Sequence, residues 1–521
     1  MFEISNDDLE WEVLQKTLSI EKITPSTNIP RNSVHIVVSR NDSYQIRANL
    51  TALDKEVTIG KRDIDKYSPV EPFTVEGYDQ YNSRIKLIDC YINKKSSCHS
   101  RGASNFETKL EIVPKEVTIE NNLYSEISWL SEWYLNGPTG VCFPRGTVRY
   151  QDKENKVFRK RSTVDISYDD AIEQSLFGKM DSDFAFIDSG SIKFLIARVP
   201  SNFGPSWSKN MCIEYRKDFG LIPSFEQRKA ISEIVGFALG SQLLSVGFTE
   251  YDYHGRIIKS TSKSSWGGPY SRFISEHKRA SPFNIGVKGY LKNQNVIEET
   301  LSSLVPKYLA VRDKLNLKDS LCRYWVSRNM PIGTSLPVLS GALEIVMKSW
   351  FKSENSKSKA LYISEREFNK LLEENFKEIE KKLDDFIELT IGGLGQEEKE
   401  FRKKQENMEL KKPIMNAIYH SNQMSLTKKY RTFFKEIGLI IGDKDEDVLK
   451  CRHTMAHPEK VSYEELEKMR KCTLAYETLF HRVFLKILGY NGNYIDRSSP
   501  LKPTIGYPER HIDMPLGRKK Y

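Results

Sequence analysis

The chain reads as an α+β protein: a β-rich N-terminal domain, either a sandwich or an open barrel, followed by an all-α helical bundle. Three observations predict this. Short runs that alternate apolar and polar residues fill positions 1–215, and period-two alternation is the signature of half-buried strands. From Val296 onward, long apolar stripes recur at three- and four-residue spacing, the signature of helices packing one face inward. A length of 521 residues exceeds one ordinary core and suits about two to four domains.

The strands come first. Val34–Val38, Arg84–Ile88, Lys109–Val113 and Ser191–Ile196 are β-favouring runs, separated by turn signals at Asn41-Asp42-Ser43, Asn136-Gly137-Pro138 and Asp188-Ser189-Gly190. Many short strands so punctuated argue for a sandwich or barrel. No glycine-rich strand-to-helix loop of the nucleotide-cradling kind interrupts them. Pro223 marks a change of character. Ser224–Gly247 carries Ile231, Ile234, Val235, Ala238, Leu239 and Leu243 at helical intervals, and Tyr251–Gly289, rich in Ser, Gly, Arg and Lys, reads as a loop. Its Trp266-Gly267-Gly268-Pro269-Tyr270 mixes with basic residues as RNA-stacking segments do, and as connecting loops also do.

In the bundle, Leu336–Phe351 is apolar enough to be a central helix. Ser364 with Glu367, and Ser462 with Glu465, have capping-box spacing. The helix after Ser364 repeats Phe368, Leu371, Leu372, Phe376, Ile379, Leu383, Phe386 and Ile387 and stops at Gly392-Gly393. The helix after Ser462 aligns Leu466, Met469, Tyr476, Leu479, Phe480, Val483 and Ile487 and ends at Gly489. Glu397–Lys412 is a charge run of the solvated kind. The chain therefore divides into a β-rich domain at 1–215, a helix plus basic and aromatic linker at 216–295, a helical bundle at 296–496, and an extended basic tail at 497–521.

Composition narrows the function classes. A net charge of +9 suits an anionic partner, nucleic acid ahead of a membrane surface. The acidic Met1–Glu12 lacks the basic and apolar regions of a signal peptide. The longest apolar stretch, Ile234–Phe248, is short for a membrane span and reads as a buried helix. Seven cysteines include no CxxC pair. Cys90, Cys98 and His99 find no second ligand pair at finger spacing, so reduced thiols in a cytoplasmic protein are expected, with no metal and no cofactor.

One stretch carries chemistry: Arg452-His453-Thr454-Met455-Ala456-His457. Arginine is always charged and grips a phosphate with two parallel hydrogen bonds, and histidine exchanges a proton near neutral pH. On one unbroken helix, residues five apart point about 140° away from each other. Pro458 disfavours helical angles at His457, so the helix should end around Ala456 or His457 and free the imidazole from helical phase. Alternatively, copies from two subunits combine across a two-fold axis. A second Arg-x4-His spelling, Arg272–His277, falls in the linker and is taken as accidental. The plain structural alternative is a helix-terminal histidine beside a surface arginine. A metal alternative, with His453 and His457 sharing a face, lacks the zincin glutamate, because Thr454 stands there.

With those residues in view, the C-terminal part resembles the HEPN domains, whose signature is Arg, a polar residue, and a His a few residues on: here Arg452, His453 and His457. The whole chain looks like the ApeA group of HEPN anti-phage proteins, which join a large β-rich domain to this bundle. Leu339–Val346 and the ending Leu488–Asp496 support the likeness, which covers Leu336–Asp496. His453 stands where the family most often has Asn. The resemblance implies a HEPN-type bundle acting as a homodimer and as a metal-independent endoribonuclease, often on tRNA, that halts growth when infection is sensed. It also implies an N-terminal domain for recognition, of a phage protein trigger among other candidates. A catalytically silent HEPN module for RNA or protein binding and dimerisation is the alternative. So is an inert carbohydrate- or protein-binding β domain with a helical dimerisation appendage.

Overall fold

A strand with one apolar face must pair its backbone groups and cover that face, and sheets closed or layered around a core do both. The computed structural model describes all residues except 1–3, 6–10, 27, 31, 55–70, 100–105, 122–124, 138–142, 152–156, 161–181, 265–279, 286–295, 332, 354–360, 362–364, 423, 455–461, 500–506 and 518–521. The chain forms two compact units, Met1–Leu309 with Arg328–Met330, and Ala310–Ser327 with Pro331–Tyr521.

The first unit is built on antiparallel strands. Ser33–Arg40 pairs with Ile46–Asp54, that with Phe106–Val113, and that with the second half of the long strand Arg84–His99. The first half of the long strand pairs with Phe73–Tyr78. Lys22–Ile23 bonds Phe73–Tyr78, and the adjoining Leu18–Ile20 bonds Ser33–Arg40. These pairings close on themselves into a barrel, where the sequence alone left a sandwich or an open barrel. Its interior is the alternating set Ile36, Val38, Ala48, Leu50, Val75, Leu87, Leu110 and Ile112, all buried.

The long strand bends at Asp89, whose φ is 52°, and its first half also pairs with Glu116–Glu120. From there the sheet runs on through Ile257–Lys263, Leu244–Tyr251, Trp129–Leu135, Met211–Arg216, Lys193–Arg198 and Ser182–Asp188. Trp129–Leu135 and Met211–Arg216 are buried along their whole length. One face packs Trp133 and Leu135 against Trp11, Leu195 and Cys212. The other meets α1 (Phe225–Leu239), whose Arg228 Nε donates to Glu132 Oε1 at 2.9 Å.

Residues 216–295 are therefore more than a helix and a linker. The helix ends at Gly240, held at φ 71°, and Leu244–Tyr251 is a central strand rather than more helix. Ile257–Lys263, read from sequence as loop, is also a strand of this sheet. Its middle is Ser260-Thr261-Ser262, buried but polar, so it gives no apolar signal. Its hydroxyls are paired instead: Ser260 with Thr249 at 3.2 Å, and Ser262 donating to Glu12 at 2.6 Å. Helix α2 (Val296–Val311) also belongs, up to Leu309, with the first unit and not the bundle. Its Glu298 accepts from Arg145 Nε at 2.8 Å and from the Phe186 amide at 2.7 Å.

The second unit is helical, as expected for a bundle: α3 (Leu317–Arg328), α4 (Ser335–Lys352), α5 (Glu365–Ile391), α6 (Gln396–Glu406), α7 (Lys412–His420), α8 (Leu426–Glu436), α9 (Asp443–Thr454) and α10 (Tyr463–Ile487). The apolar α4 is central and packs against α8, α9 and α10. Ser462 and Glu465 cap α10 reciprocally, at 3.2 and 2.8 Å. The charge run Glu397–Lys412 is mostly α6 and a π-helical turn, bonded back onto α5 through Lys411 and Asp384 at 2.7 Å. The segment expected to be an extended tail is folded in part. Glu509–His511 pairs with Asn493–Ile495, and Ile512 and Leu516 are fully buried. Apolar residues spaced among prolines and charges hide that anchoring from a compositional reading. Among the described residues, no helix is long and apolar enough to cross a membrane.

Candidate active site

Helix α9 carries Arg452 and His453 of the arginine–histidine motif, and its first turn explains how it is seated. Asp443, Asp445 and Glu446 stand at its N-terminal end, where negative charge offsets the helix dipole. The Gly442 amide donates to Asp445 Oδ2 at 2.9 Å. Asp445 also receives both hydrogen bonds of Arg482 Nη1, at 2.8 and 2.9 Å, with both side chains fully buried. Arg482 Nη2 donates to the Ile440 carbonyl at 2.6 Å, and its guanidinium lies 5.3 Å from the centre of the Tyr494 ring. The Leu516 amide adds a further bond to Asp445 at 3.1 Å. Glu446 takes a two-pronged contact from Arg431 on α8, at 2.8 and 2.6 Å. A paired, multiply bonded buried carboxylate costs little to keep and much to strand, so the start of α9 is fixed on α8, α10 and the C-terminal strand pair.

The helix runs on to Thr454, putting Arg452 and His453 in its last turn. Those two backbone positions share one turn. His457 and Pro458 lie outside the described residues, as do Arg272–His277, Trp266–Tyr270 and Ser364. Val448 and Leu449, one turn earlier, are buried. Cys451, beside Arg452, is half-buried.

A second polar cluster in the bundle escapes a sequence reading. Tyr324 of α3 lies within hydrogen-bond reach of His481 Nε2, at 2.8 Å, and of Glu477, at 3.3 Å. Tyr324 also stacks on Phe480 with centroids 4.9 Å apart. His481 and Glu477 are four residues apart on α10, a spacing that could have drawn notice had the apolar stripe not dominated. Both are at most 1% exposed, so no substrate reaches them, and the cluster fastens α3 to α10. Among the described residues, no group of His, Cys, Asp and Glu side chains is arranged to hold a metal ion. In comparisons with protein families, curated proteins and solved structures, nothing matches this chain.

Proposed function

We propose that the helical unit is a metal-independent endoribonuclease of HEPN type, acting on RNA of the tRNA class in an abortive-infection response to phage. The observation that carries this reading is the seat of Arg452 and His453 in the last turn of α9, just ahead of His457-Pro458. Arg452 and His453 thereby share the last turn of a helix whose other end is locked by Asp445 and Arg482.

In this reading Arg452 holds the scissile phosphate and offsets the charge that grows on it in the transition state. His457 removes the ribose 2′-OH proton or protonates the departing 5′ oxygen. His453 orients His457 or supplies the second proton-transfer group. The 2′ oxygen attacks phosphorus, the P–O5′ bond breaks, and the products are a 2′,3′-cyclic phosphate and a 5′-OH. The proposal extends to a cytoplasmic homodimer that uses both copies of the motif, and to a β-rich unit that recognises a phage protein trigger.

The test is RNA cleavage by the purified chain in EDTA, with tRNA and a candidate phage trigger supplied and product ends analysed. Cyclic phosphate ends should form, and His457→Ala should lower the rate at least roughly 100-fold. Arg452→Ala should lower turnover more than RNA affinity. Binding without new 5′-OH ends would assign the motif to a silent binding module instead.

A further inference from the structure

A cleft of about 590 Å³ opens in the first unit between the tip of one barrel hairpin and two loops, a size that holds small molecules. The hairpin tip is the turn joining Ser33–Arg40 to Ile46–Asp54. Leu14, Gln15 and Thr17 form a second wall, and the loop carrying Asn202, Gly204 and Trp207 forms the third. Their own hydrogen bonds shape the tip and the third wall. Asn41 Oδ1 accepts from the Gln45 amide at 2.9 Å, and the Asn41 carbonyl accepts from the Tyr44 amide at 2.8 Å. Asn210 Nδ2 donates to the Phe203 carbonyl at 2.9 Å. Gly204, at φ 74°, lies where a Cβ would stand 3.1 Å from Trp11. Trp207 Nε1 donates to the Asp42 carbonyl at 3.1 Å and so ties this loop to the hairpin tip.

Two features of the lining point to one chemistry. Trp207 stays 45% exposed although its indole nitrogen is bonded, so a large, rigid aromatic surface is held open in a wall rich in polar side chains. Around it stand the amides and hydroxyls of Gln15, Thr17, Ser39, Asn41 and Asn202, with the Asp42 carboxylate among them. Amides and hydroxyls both donate and accept, and a carboxylate accepts through two oxygens. Arg40 brings positive charge to this lining, but its guanidinium is paired with Glu12 and donates to the Tyr44 and Val246 carbonyls, at 2.9 and 3.0 Å. That cation is committed to the protein. An anionic ligand would meet Asp42 with its own charge unpaired, which is costly once water is displaced. A neutral ligand with one flat apolar face and a rim of hydroxyls matches both features.

We propose that this cleft binds a neutral pyranose sugar. The C–H groups on one face of the sugar ring lie on Trp207, and its hydroxyls bond the surrounding amides and donate to the Asp42 carboxylate. Because the hairpin tip and the Trp207 loop are already bonded to each other, little ordering opposes binding. One aromatic platform with a few hydrogen bonds corresponds to a Kd on the order of 1 mM. The site belongs to the β-rich unit alone and is independent of the ribonuclease reading.

The full-length protein is titrated with glucose, galactose, mannose and N-acetylglucosamine, each to about 20 mM, well above that Kd. Maltotriose and chitotriose separate a sugar bound alone from one bound within a chain, and adenosine and AMP stand for flat ligands of other kinds. Saturation-transfer NMR and calorimetry read the binding. At least one of the sugars should show transfer to its ring protons. Trp207→Ala should weaken that sugar about 10-fold or more, and Trp207→Phe, which keeps an aromatic face, about 3-fold or less. Asp42→Asn should weaken it as well, and leaves the Trp207 bond in place because that bond falls on the Asp42 carbonyl. Melting curves establish that the variants fold, and Asp42→Asn carries the test if Trp207→Ala does not. Absence of binding by every sugar overturns the proposal, as does sugar binding that survives both Trp207→Ala and Asp42→Asn. Adenosine or AMP bound more tightly than every sugar overturns the assignment of the cleft to a sugar.

Discussion

Two residues, Asp445 and Arg482, decide whether the motif helix has a fixed origin. Replacing Arg482 with Met keeps much of the volume but strands a buried carboxylate, at a cost of roughly 3–5 kcal/mol. Chemical denaturation should show that loss, and Arg482→Lys should recover only part of it, because a single ammonium cannot reproduce the Arg482 fork on Asp445 and Ile440. Gly240 makes a second prediction. At φ 71°, a Cβ there would stand 2.0 Å from the Ser281 nitrogen, so Gly240→Ala should lower Tm through both strain and clash. A third concerns Cys451, whose alkylation by iodoacetamide should rise through a midpoint near 7. In Cys472→Ala the midpoint should move upward, since the donor that favours the thiolate is gone. At this scale the sequence was informative about identity and silent about partners. Arg452, His453 and His457 are legible as a spelling. Nothing in the letters ties Asp445 to residue 482, because that pairing is made by the packing of two helices.

Elements were legible where local chemistry decides them. Ser462 and Glu465 announce the start of α10, and Gly392-Gly393 the end of α5, because caps and breakers act within a few residues. Legibility failed where tertiary burial overrides pattern. Ser260-Thr261-Ser262 looks like loop yet lies in the sheet, its hydroxyls satisfied by Thr249 and Glu12. Leu244–Tyr251 follows so closely on an apolar helix that its alternation merges with the helical stripe. The C-terminal strand pair was hidden in the same way, and it offers an element-level test. Ile512→Asp places a carboxylate where the side chain is fully buried, beside the strand that faces Asn493–Ile495. Stability of the full chain should drop by about 3 kcal/mol in urea unfolding. Amide exchange along α9 should speed up too, since Leu516, four residues on, bonds Asp445.

At the scale of the whole molecule, the order of a β-rich unit and then a helical one was readable from periodicity alone. Closure of the barrel was not, because it depends on Leu18–Ile20 and Lys22–Ile23 bonding two different strands, a choice that few letters encode. The same N-terminal stretch has a consequence for synthesis. Glu12, fully buried, is hydrogen-bonded by Tyr44 and Ser262 and paired with Arg40, and Ser262 lies 250 residues downstream. A ribosome adding about 5–20 residues per second needs roughly 12–50 s to deliver that distant hydroxyl. Until then the carboxylate waits with its nest incomplete, and the central strand beside Leu244–Tyr251 is missing. Nascent chains stalled before residue 263 should therefore stay open to proteases near Glu12, and chains stalled some forty residues later should resist them. Resistance already present in the shorter chains would mean that Arg40 and Tyr44 suffice to hold the segment while translation continues.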